Sequence, residues 1–162
     1  MSMIVPPKPR SLSTKRNFAI VASRFNPEYV QGLVNHASAE LRAQAHGANL
    51  ALYQVPGAFE IPVVVRELAV QKRADAILAI GVILKGQTDH AEHLAGSVIY
   101  ALQEIVLTYG VPVIHCVLSL ETEAHACERC LGDKINRGTE AARAAIGIAN
   151  LMLELRGRVP AP

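Results

Sequence analysis

Short apolar runs of strand length alternate along the chain with longer segments in which apolar residues recur every three or four positions. The runs are FAIVAS (18–23), NLALYQV (49–55), ADAILAIGVIL (74–84) and VIHCVLS (113–119). The third run has no polar alternation, which is typical of a strand covered on both faces in a parallel sheet. The pattern therefore predicts four strands separated by helices.

Helical spacing follows each run. The first helix is predicted to have Asn26 as its N-cap and Pro27 in its first position, and to stop near Gly47. The segment 60–72 favours a strand locally at its three valines, but Pro62 and the following RELAVQKR favour a helix. Further helices are predicted near 94–106, 121–131 and 138–156, the last apolar on nearly every face. The apolar face of the first helix consists of Val30, Leu33, Val34, Ala37 and Leu41.

Strand–helix alternation with crossovers of this length predicts an α/β fold, with a parallel sheet and helices on both of its faces. In such sheets, ligands bind at the carboxyl ends of the strands. Three loops should meet at that edge: RFN after the first strand, VPGAFEIP after the second and KGQTDH after the third.

Composition narrows the function classes. The 162 residues suit one domain. The hydrophobic content of 51% and the mean hydropathy of +0.24 are high for a lone monomer. Part of the apolar surface is therefore expected to lie between subunits. A net charge of +2 and the absence of tryptophan argue against nucleic acid as a partner. No apolar run reaches the ~18 residues of a membrane span. Three cysteines without a recognisable signal peptide predict a cytoplasmic protein.

The first 16 residues differ in composition from the rest. They contain three prolines and four basic residues but no acidic residue. A short transit peptide is a less favoured interpretation than a flexible arm. We therefore expect residues 1–16 to form a flexible N-terminal arm, and residues 17–158 to form a single domain.

The three loops carry the residue types of an anion site. Gly86, Gln87 and Thr88 precede a helix, where free N–H groups and the helix dipole favour phosphate. His90 would stand beside that phosphate as a group that titrates near neutral pH. Phe59 offers a flat apolar face, and Glu60 could accept paired hydrogen bonds. Each also has an ordinary interpretation: a common loop, a solvent-facing histidine, a core phenylalanine and a first-turn acid.

Cys127 and Cys130 do not predict a metal site. Zinc would need two more ligands, and the sequence has no second such pair. A redox pair would sit at the start of a helix after a strand, whereas ACERC falls within a predicted helix. A metal is therefore not expected here.

Five segments, in order and spacing, resemble the signatures of the lumazine synthase family. The likeness extends from about Asn17 to Leu153, and the pairing of VPGAFEIP with a G-x-T-x-H loop is its most specific part. It implies a flavodoxin-like, three-layer α/β/α fold with a four-stranded parallel sheet. The segments are RFN (24–26), VPGAFEIP (55–62), GVILKGQTDH (81–90), GVPVIHCVLSLET (110–122) and ERCLGDKINRG (128–138).

The resemblance also implies a reaction. Members of the family are transferases of riboflavin biosynthesis that condense 5-amino-6-(D-ribitylamino)uracil with 3,4-dihydroxy-2-butanone 4-phosphate. The products are 6,7-dimethyl-8-ribityllumazine and phosphate, and no metal or organic cofactor takes part.

By the same resemblance, each motif supplies part of the site. His90 matches the histidine that transfers protons. Phosphate of the second substrate would be bound by Gln87, Thr88 and Arg129, although spacing alone would make Arg129 a surface residue. The ribitylaminouracil would be bound by Phe25, Ala58, Phe59, Glu60, Val82, Ile83, Leu84 and His115.

The family builds each site between neighbouring subunits of a homopentamer, and some members assemble 60 subunits into an icosahedral shell. Position 115 and Arg129 would then come from the adjacent chain. Asp89, Ala91, His93 and His115 depart from the residues common in the family. Two alternatives therefore remain open: a catalytically weak paralogue that binds lumazine or flavin, and a shell-forming protein on the same fold.

Overall fold

The computed structural model describes residues 7–10, 15–86 and 89–157. Within these ranges the strands are β1 (Asn17–Ser23), β2 (Asn49–Val55), β3 (Ala76–Leu84) and β4 (Val113–Leu120). The helices are α1 (Pro27–Gln44), α2 (Ile61–Val70), α3 (His90–Tyr109), α4 (Glu123–Ala126) and α5 (Arg137–Leu155). A 3₁₀ turn over Ala58–Glu60 precedes α2, and a π-helical turn over Cys127–Leu131 follows α4.

The four strands form one parallel sheet in the order β2-β1-β3-β4. The chain passes from β1 outward to β2 and then crosses back over β1 to β3, so the order reverses beside β1. Every residue of β3 except Leu84 is buried, as the absence of polar alternation predicts. The predicted α/β class is confirmed.

Helices cover both faces of the sheet and divide the core into two layers. On one face, α1 and α5 pack against Phe18, Ile20, Leu78 and Ile80. On the other face, α2 and α3 pack against the alternate residues of the same strands, such as Val21 and Ile77. This α/β/α arrangement is consistent with the flavodoxin-like architecture that the resemblance implies.

The first helix confirms its predicted face but not its predicted cap. The five apolar residues expected on one face are its buried residues. Asn26 occupies the N-cap position in a left-handed conformation (φ 53°), yet its side chain makes no capping hydrogen bond. The amide instead donates to the carbonyl oxygen of Val82 at 2.8 Å. The helix ends at Gln44, before Gly47.

The segment after β4 is not the continuous helix that was predicted. Thr122 caps the short α4, and the next five residues widen into a π-turn that ends where Gly132 N–H donates to Cys127 O. Spacing does not distinguish an i→i+4 ladder from an i→i+5 ladder. Close packing of this turn on α1 accompanies the widening: a Cβ atom at Gly32 would lie 2.5 Å from the Cys130 carbonyl oxygen.

None of the helices in the described ranges is long and apolar enough to cross a membrane. Several large apolar side chains are nevertheless exposed, among them Tyr100 (79%) and Leu107 (76%) on α3. In the N-terminal segment, Arg10 O accepts a hydrogen bond from the Asn150 amide of α5. The predicted boundary between an arm and a domain near residue 17 stays a prediction.

Candidate active site

The three loops predicted to meet at the carboxyl edge of the sheet are joined by hydrogen bonds in their described parts. Arg24 N–H, just after β1, donates to Val55 O at 3.0 Å and to Pro56 O at 3.3 Å, at the end of β2. The Asn26 amide connects the first loop to the end of β3. Lys85 N–H connects the loop after β3 to Leu120 O at 2.8 Å. Because the strand order reverses here, this edge is the expected position for a ligand crevice.

Two aromatic rings stand exposed at this edge. The sequence contains three phenylalanines, of which Phe18 is buried in the core, whereas Phe25 is 69% exposed and Phe59 67% exposed. The Phe25 ring lies over Gly57, since a Cβ atom there would come within 3.3 Å of its Cδ2 atom. Exposed rings are unfavourable in water, so they point to a planar ligand or a partner surface. The core interpretation of Phe59 is wrong.

Glu60 is held in place by the backbone of its own turn. Its Oε2 atom accepts the Gly57 N–H at 2.8 Å. A Cβ atom at Gly57 would lie 3.0 Å from that same oxygen, so glycine allows the carboxylate to fold back. Ala58 is buried beneath the turn. The carboxylate is therefore oriented at the carboxyl edge of the sheet, and both it and the Phe25 ring lie against Gly57.

The end of β3 lies at the same edge, where Val82 O accepts the Asn26 amide. Val82 and Ile83 are buried and Leu84 is half-buried, so they would meet a ligand chiefly through backbone groups. Gly81 allows close packing there, because a Cβ atom would lie 3.2 Å from Ser23 Oγ and 3.3 Å from Val117 Cγ1. The Ser23 hydroxyl is buried, with no hydrogen-bond partner in the described part of the chain.

The phosphate loop is described only at its flanks. Gln87 and Thr88 lie outside the described residues. Lys85 and Gly86 are exposed before them, and Asp89 follows at the N-cap position of α3. His90 is the exposed first residue of α3. Asp89 and Lys85 line a cleft of about 170 Å³ between the ends of β3 and β4, with Glu92 and Glu121.

Arg129 lies in the π-turn rather than in a regular helix. It is half-buried, which is more enclosed than its spacing alone predicts. The turn packs on α1 through Gly32 and is tied to the start of α5 by the buried side chain of Asn136. Arg129 therefore belongs to a rigid segment.

His115 is placed apart from the carboxyl edge. It lies near the beginning of β4, opposite Ala79, roughly 16 Å from that strand's carboxyl end at about 3.3 Å per residue. Its Nδ1 atom accepts the Val117 N–H at 3.3 Å, which leaves Nε2 as the ring donor. His115 is exposed as a whole, but partial desolvation of the ring by its neighbours lowers the pKa of the imidazole below its ordinary value. Within one chain, His115 does not join Phe25 and Glu60.

A groove of about 480 Å³ runs along β4 beside His115. Arg137 and Glu140 form an ion pair in it, and Ala95, Ile99, Ala141 and Ala144 supply much of its apolar wall. Because β4 is an edge strand, this groove is open to a second molecule.

Three positions at or near the site escaped the sequence reasoning. Asn26 was expected to cap α1 but binds the end of β3, and Ser23 and Asn136 were not singled out. A weak signal existed for Asn26, because Asn tolerates the left-handed conformation better than most residues. The others depend on contacts between segments distant in sequence, so spacing carries no signal for them.

Comparison with known proteins identifies the family of the chain. A family model described as 6,7-dimethyl-8-ribityllumazine synthase matches residues 15–153. A protein of that name from Halorhodospira halophila is 39% identical over 141 residues, which cover 85% of this chain and 89% of the relative. The matched span contains every residue discussed above as part of the site, including those outside the described ranges.

Proposed function

The chain belongs to the 6,7-dimethyl-8-ribityllumazine synthase family, and we propose that it condenses 5-amino-6-(D-ribitylamino)uracil with 3,4-dihydroxy-2-butanone 4-phosphate. The amine attacks the ketone to give an imine with loss of water. Phosphate is then eliminated, and ring closure with loss of a second water gives 6,7-dimethyl-8-ribityllumazine. The observation that carries the proposal is the carboxyl edge of the sheet at the strand-order reversal, where Phe25, Glu60 and the end of β3 come together.

The pyrimidine and ribityl chain would occupy this crevice. Phe25 offers an exposed ring for stacking, while the Gly57 N–H orients the Glu60 carboxylate toward ribityl hydroxyls. Carboxylates accept strong hydrogen bonds from paired donors. Ala58 and Phe59 belong to the same turn, and Val82, Ile83 and Leu84 provide the strand end.

Phosphate would bind where the loop after β3 enters α3. Gln87 and Thr88 are assigned from the resemblance, and Arg129 would supply the cation, because a guanidinium can bond two phosphate oxygens at once. His90, at the first position of α3, would transfer protons to and from the reacting groups. Much of the acceleration would come from holding two substrates together.

A complete site would require a second chain. His115 lies away from the crevice of its own chain but beside an open groove on an edge strand. Exposed Tyr100 and Leu107 add an apolar surface suited to self-association. We therefore propose that the site lies between subunits of a homopentamer, which could assemble further into a 60-subunit shell. We also propose that the protein is cytoplasmic and that residues 17–158 form one domain after an N-terminal arm.

The test is product formation from the two purified substrates, with lumazine absorbance followed alongside phosphate release and an uncatalysed control. We expect a rate well above the control. His90→Ala should lower kcat by roughly 10²-fold, as for a positioned acid–base group. Arg129→Ala should chiefly raise KM for the phosphate substrate, and Arg129→Lys should recover part of the loss. A rate equal to the control, with lumazine still bound, would instead identify a binding protein.

A further inference from the structure

One buried side chain ties the end of the segment that contains Arg129 to the start of α5. The Asn136 amide nitrogen donates to Cys130 O at 2.9 Å, within the π-turn, and to Gly132 O at 3.2 Å, just after it. Its Oδ1 atom accepts the Gly138 N–H at 2.9 Å and so caps α5. Asn136 is only 3% exposed. The side chain therefore fixes the π-turn relative to the start of α5.

Close backbone packing leaves this segment little room to adjust. A Cβ atom at Gly132 would lie 2.4 Å from Glu128 O, and one at Gly138 would lie 2.2 Å from Leu33 O. The π-turn is thus confined between α1 and α5. π-Turns are rare and recur at functional sites, where they reorient a side chain that a regular helix would direct elsewhere.

We propose that Asn136 is the positioning residue for Arg129 in phosphate binding, an inference that rests on the proposed function. The two carbonyl groups that its amide holds, Cys130 O and Gly132 O, follow Arg129 closely in sequence. Losing these hydrogen bonds would release the turn and displace the guanidinium, while the crevice around Phe25 and Glu60, built on other loops, would be unaffected.

The choice of substitution separates this role from helix capping. Serine is a good N-cap residue, so Asn136→Ser should preserve the cap of α5 but cannot reach the two carbonyl groups. Asn136→Asp also preserves the capping oxygen and removes both donors, and it serves as the second variant if the serine variant does not fold. Thermal unfolding of each variant reports whether it is folded.

The measurement is the pair of KM values, together with the inhibition constant of inorganic phosphate. Asn136→Ser should raise KM for the phosphate substrate and the phosphate inhibition constant by roughly tenfold to a hundredfold, as expected for an ångström-scale displacement of a binding group. KM for the ribitylaminouracil should stay within about twofold, because that substrate would not contact Arg129.

Asn150→Ser is the matched control. It removes another buried asparagine from the far end of α5, roughly 20 Å away at 1.5 Å per residue. We expect it to lower stability without separating the two KM values. If the control and Asn136→Ser raise both KM values alike, Asn136 is merely structural and the proposal fails.

A double variant distinguishes the remaining outcomes. Asn136→Ser combined with Arg129→Ala should bind phosphate no more weakly than Arg129→Ala alone, because the two act as one unit. Additive effects would overturn the proposal. If Arg129→Ala itself leaves phosphate affinity unchanged, the phosphate role of Arg129 is wrong, and the positioning role falls with it. If neither the unmodified protein nor any variant forms product, the proposed synthase function is wrong.

Discussion

Four polar or charged residues are buried within the described ranges, and three of them form hydrogen bonds. The Arg16 guanidinium donates to Asn150 Oδ1 at 2.7 Å, and Asn136 holds the π-turn. Ser23 is the exception, because its hydroxyl lies against Gly81 without a described protein partner. A buried hydroxyl without a partner destabilises the folded state.

Ser23→Ala should therefore not destabilise the protein. Removing the unpaired hydroxyl should leave the free energy of unfolding unchanged or raise it by up to about 1 kcal/mol. Chemical denaturation measures this value. Gly81→Ala is the control, because its methyl group would press on Ser23 Oγ and should destabilise. A clear loss of stability in Ser23→Ala would contradict the assignment and indicate that the hydroxyl binds water or ligand.

His115 should make stability depend on pH. Partial desolvation of its ring lowers the pKa in the folded protein, so near the ordinary pKa of about 6.5 the unfolded chain binds the proton first. The effect should be small, because His115 is exposed on β4. The stability contributed by the neutral ring is thus present above that pH and is lost as the pH falls below it. Protonation also removes the Nδ1 acceptor of the Val117 N–H.

The free energy of unfolding by denaturant is measured for the unmodified protein and for His115→Phe. Both are measured at pH 7.5 and at pH 5, at the same protein concentration. We expect the unmodified protein to lose more stability on acidification than the variant. Arg137, Glu140 and Cys116 line the same groove and are unchanged in both. Equal losses would show that His115 does not titrate in this way.

At the scale of elements, the packing of α1 on α5 depends on glycine at one contact. Gly138→Ala would place Cβ at 2.2 Å from Leu33 O, a backbone atom that cannot move without shifting α1. We expect a loss of about 3 kcal/mol or more in the free energy of unfolding, at the upper end for overpacking. Denaturant unfolding measures the loss.

Gly147→Ala provides the control within the same helix. Apart from its own stretch of helix, no described atom lies within 4 Å of its added Cβ, so the change should only improve helix propensity, by up to about 1 kcal/mol. Equal effects of the two substitutions would mean that the α1–α5 contact is looser than the structure indicates.

Elements with a strong local pattern were predictable from the sequence. The buried face of α1 and the position of β2 are as expected, and Pro62 correctly decided for a helix against the valine run. The π-turn was not predictable, because its residues have ordinary helical spacing and its form depends on contacts with α1 and Asn136.

The site was predictable to a similar extent. The meeting of the three loops follows from the parallel sheet, whereas the Asn26–Val82 hydrogen bond joins segments that no local pattern relates.

At the scale of the whole molecule, the predicted surplus of apolar residues is visible as exposed side chains. Tyr100 and Leu107 lie two turns apart on α3, with Ile99 beside them and Val63 exposed on the neighbouring α2. Burying each large side chain in an interface would contribute roughly 1.5–3 kcal/mol. Such a surface agrees with the inference that His115 and Arg129 complete the site of an adjacent chain.

Charging this surface should therefore abolish assembly and activity together. For the unmodified protein, we expect sedimentation velocity to give a mass several times the 17.4 kDa of one chain. Tyr100→Lys and Leu107→Lys should each shift the mass toward one chain, because a lysine cannot be buried there without a partner charge. The condensation rate should fall in parallel, since each crevice would lose the groups supplied by its neighbour.

Ala43→Lys is the matched control, because it adds the same charge at an exposed position of α1, in the opposite layer of the fold. It should keep both mass and rate. A charged α3 variant that sediments as a single chain yet retains full activity would show that one chain contains a complete site. The separation of His115 from the crevice would then need a different explanation, because the residue could take no part in the reaction.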